Sequence, residues 1–201
     1  MHHIDLGAIT IGKSSHPGKT EADYCVMEWV DIFNGAKPGK QTDHPKCASP
    51  VLAAFAISWN DALDDETRQR LKPYIPRLVG TSGNRKADNL RAWMATDWLA
   101  RTFAPAMLRL TPSLVEHADT LAGLAPLTSA ATAKKAQSSL SAARSAAYSA
   151  AYSAAHSAAY SAAHSAARSA AYSALAPTVK ELQESAFALF DRMIAPQEPT
   201  R

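Results

Sequence analysis

Residues 141–172 read Ser141-Ala142-Ala143-Arg144, Ser145-Ala146-Ala147-Tyr148 and onward, a Ser-Ala-Ala-X unit repeated eight times. The X positions are Arg144, Tyr148, Tyr152, His156, Tyr160, His164, Arg168 and Tyr172. Alanine is the best helix former, and no Gly or Pro interrupts the run, so the stretch predicts helix and not strand. Extended back to about Ser129 and on to Ala174, that helix would be roughly 46 residues and ~70 Å long. Its period matters more than its composition. Four residues turn an α-helix by ~400°, so each X position lies ~40° further round, and seven steps carry the stripe through ~280°. The large side chains form a right-handed spiral of i,i+4 neighbours. They cannot all face one core, and a period of four is too far from the ~3.67 of a right-handed coiled coil for ordinary supercoiling.

Three readings of the array follow. It can be a spacer grown by duplication, a spine whose small Ser and Ala faces let other helices pack closely, or a Tyr/His/Arg stripe that binds along its length. A long helix is rarely stable alone in water, which favours the spine. So does the segment after Pro177, Thr178 to Ala195. It carries Val179, Leu182, Ala186, Leu189, Phe190 and Met193 on one stripe and predicts an antiparallel partner folded back on the array. His156 and His164, two repeats apart and separated by Tyr160, read first as surface decoration, with a pH-responsive stripe as the alternative.

Upstream of the array the apolar residues again fall at helical spacing. Residues 1–19 alternate loosely (Ile4, Leu6, Ile9, Ile11) and predict a short strand or extended arm. Thr20, with Asp23 three residues on, is a candidate helix cap; Ala22, Cys25, Val26, Trp29 and Phe33 follow at helical spacing, and Gly35 is the stop. Ser49-Pro50 opens a second helix with Val51, Ala54, Phe55, Trp59 and Leu63 as its expected stripe. Asp64 or Asp65 begins a third carrying Leu71, Tyr74, Ile75 and Leu78, interrupted at Pro73 and Pro76. After a turn at 81–84, a fourth runs from about Arg85 to Phe103 with Leu90, Trp93, Met94, Trp98 and Phe103 facing inward. Three of the four tryptophans lie between residues 59 and 98, which places the expected core there.

The predicted fold is all-α: a small helical domain plus one long Ala/Ser-rich repeat helix with a C-terminal helix packed back antiparallel. The expected divisions are an extended arm (1–19), a helical domain (20–127), the repeat helix (128–176), the C-terminal helix (177–195) and a disordered tail (196–201).

Composition narrows the function classes. The formal charge of +3 and pI near 8.9 are mildly basic, but the signs are interspersed. Asp61, Asp64, Asp65 and Glu66 run into Arg68, Arg70 and Lys72, a solvated face and not the one-sided patch of a nucleic-acid binder. No segment reaches the ~18 apolar residues of a membrane span. The N-terminus has no secretory pattern, and two cysteines are too few for a disulfide scaffold, so a reducing cytoplasm is the default expectation.

Candidate chemistry is thin. Gly7-Ala8-Ile9-Thr10-Ile11-Gly12-Lys13-Ser14 matches the phosphate-loop pattern letter for letter. The motif requires a buried strand before it and a helix after it; only six residues precede it, and Ser15-His16-Pro17-Gly18 follows. His16, Cys25, His44 and Cys47 are a sharper group. Imidazole and thiolate are zinc's preferred ligands and four would close a structural site, although the spacing fits no standard finger and buried cysteines equally serve as small hydrophobes. The enzymatic version is a Cys25 or Cys47 nucleophile activated by His44, with Asp43 or Glu28 orienting the imidazole.

Cys25-Val26-Met27-Glu28-Trp29, Asp43 through Val51, Phe55 and Trp59-Asn60-Asp61 resemble a family of bacterial and phage proteins common in actinobacteria and actinobacteriophages. In that family a segment like Ile75 to Thr81 and a block like Ala95 to Thr102 recur before an Ala-rich array. The resemblance covers roughly residues 16–110. It implies a phage or prophage accessory protein and brings no catalytic residue. The leading expectation is a non-enzymatic interaction or structural protein with a protein partner or self-association. The metal- or Cys/His-dependent enzyme and the weak nucleic-acid binder are the alternatives.

Overall fold

The computed structural model describes residues 4–13, 20, 24–158 and 164–196, with backbone alone over 151–158 and 164–174. The described residues form helices and no strand, the all-α class expected. The chain divides into two compact units, 1–91 together with 192–201, and 92–191. The division falls inside a helix, at Arg91/Ala92, and not at the composition change near residue 127.

The first unit is built on α1, Val26–Asn34. The sequence suggested a start at Thr20 with Asp23; Thr20 is not helical, and residues 21–23 lie outside the described residues. The N-cap is instead Cys25, whose backbone N–H donates to Glu28 Oε2 at 2.9 Å. Gly35 ends the helix with φ +119°, a left-handed turn that an L side chain would adopt only under strain. Helix α2 spans Pro50–Ala62, with Ser49 as its cap. Asp64 caps α3, Asp65–Arg68, by accepting the Thr67 N–H at 2.8 Å. A 3₁₀ turn at Gln69–Leu71 and the short α4, Tyr74–Leu78, complete the interrupted segment. Helix α1 packs on α2 and α4, and Val26, Met27, Val30, Leu52, Leu71, Ile75 and Leu78 are fully buried. The core of this unit therefore centres on α1, not on the 59–98 tryptophan region. The expected α2 stripe holds at Trp59 and Leu63, which are buried, but is rotated in its first two turns: Ala54 is exposed and Val51 and Phe55 half-buried, while Leu52, Ala53, Ala56 and Asn60 point in.

Residues 4–13 are an arm without helix or strand, and side chains clamp its far end. Gln69 accepts from the Ile11 N–H and donates to the Ile11 carbonyl, both at 3.0 Å. Trp29 Nε1 donates to the Thr10 carbonyl at 3.0 Å. Asn60 Nδ2 donates to the carbonyls of Gly12 and Lys13 at 3.0 and 2.7 Å. Of the N–H groups that a phosphate would need, those of Ile11 and Gly12 already donate, to Gln69 Oε1 and to the Tyr24 carbonyl, and residues 6–8 form a turn, while Ser14 lies outside the described residues.

In the second unit α5, Arg85–Trp98, delivers its last seven residues and passes into a π-helical turn, Leu99–Phe103. Trp93, Met94 and Trp98 are half-buried and Phe103 is exposed, so this helix buries less than its aromatic content predicts. Helices α6 (Ala104–Leu108) and α7 (Val115–Ala122) follow, α7 preceded by a 3₁₀ turn at Pro112–Leu114. The array begins in α8, Ala130–Ala158, and continues in α9, His164–Ile194; residues 159–163, including Tyr160, lie outside the described residues.

The helix does not break at Pro177. That residue sits inside α9, although proline removes one helical N–H and crowds the preceding turn. The chain nevertheless reverses. Asp97 Oδ1 accepts the Leu127 N–H at 2.7 Å, just before α8, and Trp98 Nε1 donates to Ser185 Oγ at 3.0 Å, late in α9. A straight rod would carry Ser185 ~80 Å from Ala130 at 1.5 Å per residue, so α8 and α9 are not collinear. The expected inward stripe of the last segment holds for Leu182, Ala186, Leu189, Phe190 and Met193, while Val179 is exposed.

Candidate functional site

Cys25 is the cap of α1 and is buried. Burial pushes its thiol up to about 12, and the nearby Glu28 carboxylate works in the same direction. Desolvation disfavours the thiolate, and the thiolate is the form that attacks carbon or binds zinc. Cys47 is half-buried, with its thiol raised by burial and by the Asp31 carboxylate. Its carbonyl accepts the N–H groups of Gly80 and Ser82 at 2.9 and 3.3 Å, so the Cys47 backbone pins the loop that follows α4. His44 is exposed and its Nδ1 lies 2.8 Å from Asp43 Oδ1. The neighbouring residues thus do pair, as an orienting carboxylate would, but in solvent. Among the described residues no three His, Cys, Asp or Glu side chains gather where they could hold a metal, so Cys25, His44 and Cys47 are not brought into one site. His16 lies outside the described residues. Glu28 is buried and its Oε2 accepts the Cys25 N–H, so it serves the start of α1, while the carboxylate paired with His44 is Asp43.

The Cys25 environment makes a prediction. A thiol whose pKa is higher folded than unfolded stabilises the fold fully below the unfolded value, near 9.0, and loses that contribution as pH rises toward about 12. Stability should fall through that window by about 1.4 kcal/mol per pH unit. Urea unfolding of the Cys25→Ala variant should flatten this alkaline limb, and in the native wild type a thiol reagent should modify Cys47 alone. Rapid native modification of Cys25 would contradict this placement.

The remaining buried polar side chains serve backbone ends. Arg68 Nε donates to the Asn60 carbonyl at 2.8 Å and its Nη2 to that of Leu63, finishing α2. Arg91 does the same for the end of α9 through the carbonyls of Met193 and Ile194. Each is also paired with an aspartate at i−3, Asp65 or Asp88.

The array behaves differently. Along α8 the residues turned inward are Ala136, Leu140 and Ala143, with Ala147 half-buried. Ala136 joins Ala100 and Leu127 in a small core against Leu124 and Leu140. The first two X side chains point out: Arg144 is exposed and Tyr148 is 67% exposed. The surrounded spine does not describe these turns; alanines pack, and the large residues face solvent. The side chains of Tyr152, His156, His164, Arg168 and Tyr172 lie outside the described residues. Beside Arg144 runs an open groove of about 500 Å³, formed by Trp93 of α5 and one face of α8: Ala130, Ala133, Lys134, Gln137, Leu140, Ser141 and Arg144. The Arg144 guanidinium lies 5.6 Å from the centroid of the Tyr148 ring, a cation–π distance.

The chain matches no protein-family model, no curated protein and no solved structure. Its function must be argued from its own surfaces. The groove was missed from sequence, apart from Arg144, yet a signal exists: no Asp or Glu occurs between Asp119 and Glu181, while Lys134, Lys135, Arg144, Arg168 and Lys180 do. No helix of the described residues is long and apolar enough to cross a membrane.

Proposed function

We propose that the chain is a non-enzymatic interaction module, an accessory protein whose working surface is the array-bearing part of the second unit. The observation that carries this reading is the division of labour along α8, where alanines pack inward and the Arg144 and Tyr148 side chains are turned out. Large aromatic and arginine side chains at a surface supply most of the contact energy where proteins meet. The first unit supports the reading from the other side, because its buried Arg68, Arg91 and Asn60 are committed to backbone carbonyls.

A photo-crosslinking amino acid placed at Tyr148, compared with one at Lys72 in the first unit, tests this in the native cell. Capture of a protein partner or a second copy at 148 and not at 72 is the expected result. Equal capture at both positions would sink the proposal. So would substrate turnover by the purified chain that is lost in Cys47→Ala.

A further inference from the structure

The groove between α5 and α8 combines three properties that together select a ligand chemistry. Its wall is apolar: the half-buried Trp93 indole and Leu140. Ala130 and Ala133 line it without adding bulk. Its ends are cationic. Lys134 and Arg144 are ten residues apart on one helix, ~15 Å at 1.5 Å per residue, with Gln137 and Ser141 between them offering hydrogen bonds.

Neither cation is neutralised among the described residues. Arg68, Arg91, Arg101 and Arg109 each face an aspartate, at 2.6, 2.9, 3.2 and 2.7 Å. Arg144 has instead the face of Tyr148. A ring against the guanidinium limits its motion and leaves in-plane N–H groups available, a geometry suited to a carboxylate. No carboxylate lines the groove, and none occurs in the sequence from residue 120 to residue 180. The surface is charged in one sense and lacks its complement.

We propose that this groove binds an acidic amphipathic segment of a partner protein, with apolar side chains against Trp93 and Leu140 and carboxylates at Lys134 and Arg144. Charge complementarity identifies the occupant as acidic, and the apolar wall between the cations identifies it as a peptide. A nucleic-acid strand presents phosphates at every nucleotide and is met by a dense basic track; here two cations stand ~15 Å apart. The inference rests on the interaction-module reading and specifies its partner.

The test uses the full chain and a fluorescein-labelled synthetic helix with a leucine stripe and glutamates on its flanks, read by anisotropy. A lysine-for-glutamate version of the same peptide and a labelled oligothymidine are run alongside. The glutamate peptide should bind, more weakly as salt is raised, and K134E/R144E should weaken it roughly tenfold, as expected when two exposed ion pairs become repulsions. Both residues are exposed, so the variant's circular dichroism should be unchanged, and the lysine peptide should gain affinity for it. A Trp93→Ala variant should also weaken the glutamate peptide. Three results would each overturn the proposal: no binding of the glutamate peptide, binding indifferent to K134E/R144E, or tighter binding of the oligothymidine. Any of these can occur with crosslinking at Tyr148 intact, so the peptide titration can fail without the module reading failing.

Discussion

Replacing Arg91 with alanine is expected to lower the free energy of unfolding by about 3 kcal/mol or more, the range seen when one partner of a buried charge pair is removed. The guanidinium is 4% exposed and donates in four directions. Its Nε reaches the Met193 carbonyl at 2.8 Å, its Nη2 the Ile194 carbonyl at 3.4 Å, and its Nη1 both the Thr81 carbonyl at 3.1 Å and Asp88 Oδ1 at 2.9 Å. Asp88 in turn accepts the Ser49 hydroxyl, and Thr81 Oγ1 accepts the Ser49 N–H at 2.9 Å. Alanine would leave a partly buried carboxylate without its counter-charge and the last carbonyls of α9 without a donor, where the negative end of the helix dipole favours a cation. Arg91→Lys should recover only part of the loss, because one ammonium cannot reproduce the planar fork that serves all four acceptors. Urea unfolding measures both variants. A loss below about 1 kcal/mol for Arg91→Ala would mean that water takes over these bonds, and that the network is less dependent on the guanidinium than its geometry implies.

The second large effect is expected at Asn60, which is fully buried. Its Oδ1 accepts the Val26 N–H at 3.2 Å, at the start of α1, while its Nδ2 holds the Gly12 and Lys13 carbonyls. One amide therefore joins the arm, the start of α1 and the end of α2. Asn60→Ala would remove all three contacts and leave the buried groups to find water, a loss of about 2–3 kcal/mol. Asn60→Asp should be no milder, since a carboxylate has no N–H for the two carbonyls and would face them as a like partial charge. Hydrogen exchange gives the local signature. The Gly12 amide, bonded to the Tyr24 carbonyl at 2.8 Å, should lose protection in Asn60→Ala, whereas the Ile11 amide, held separately by Gln69, should retain more. Uniform loss at both would indicate that the arm detaches as a whole.

What could be read in advance was local. Ser49-Pro50, Asp64 and Gly35 announce themselves because a cap or a left-handed turn is decided by a few adjacent residues. The start of α1 was misplaced because Thr20 is a favoured cap and Cys25 is not, so the rule preferred the wrong residue. The α2 face was misjudged because Val51, Leu52, Ala53, Ala54 and Phe55 are all apolar, and periodicity cannot choose between faces that are both hydrophobic. A proline predicts a break, yet α9 runs through Pro177. Asn60 and Arg91 were illegible for a different reason. The partners that tie them across the chain lie 34 to 48 and 102 to 103 residues away, and no pattern within a window of the chain encodes such a pairing. The cationic side of the groove was legible in the acid-free stretch, but Trp93 of α5 joins it only through tertiary packing.

The bond between Arg91 and Met193 also has a consequence in time. Translation runs from the N- to the C-terminus, so Arg91 is made 102 residues before Met193, with the whole array still to be added between them. Throughout that interval the Arg91 guanidinium has Asp88 and Thr81 within its own neighbourhood, but not the carbonyls of Met193 and Ile194. The first unit can collapse around α1 early, since α1, α2 and α4 are neighbours in sequence, yet its polar seam stays open until the end of α9 arrives. Translation thus separates two events that an equilibrium melt would merge: an early hydrophobic closure and a late electrostatic one. Arrested chains ending before residue 193 should show the first without the second.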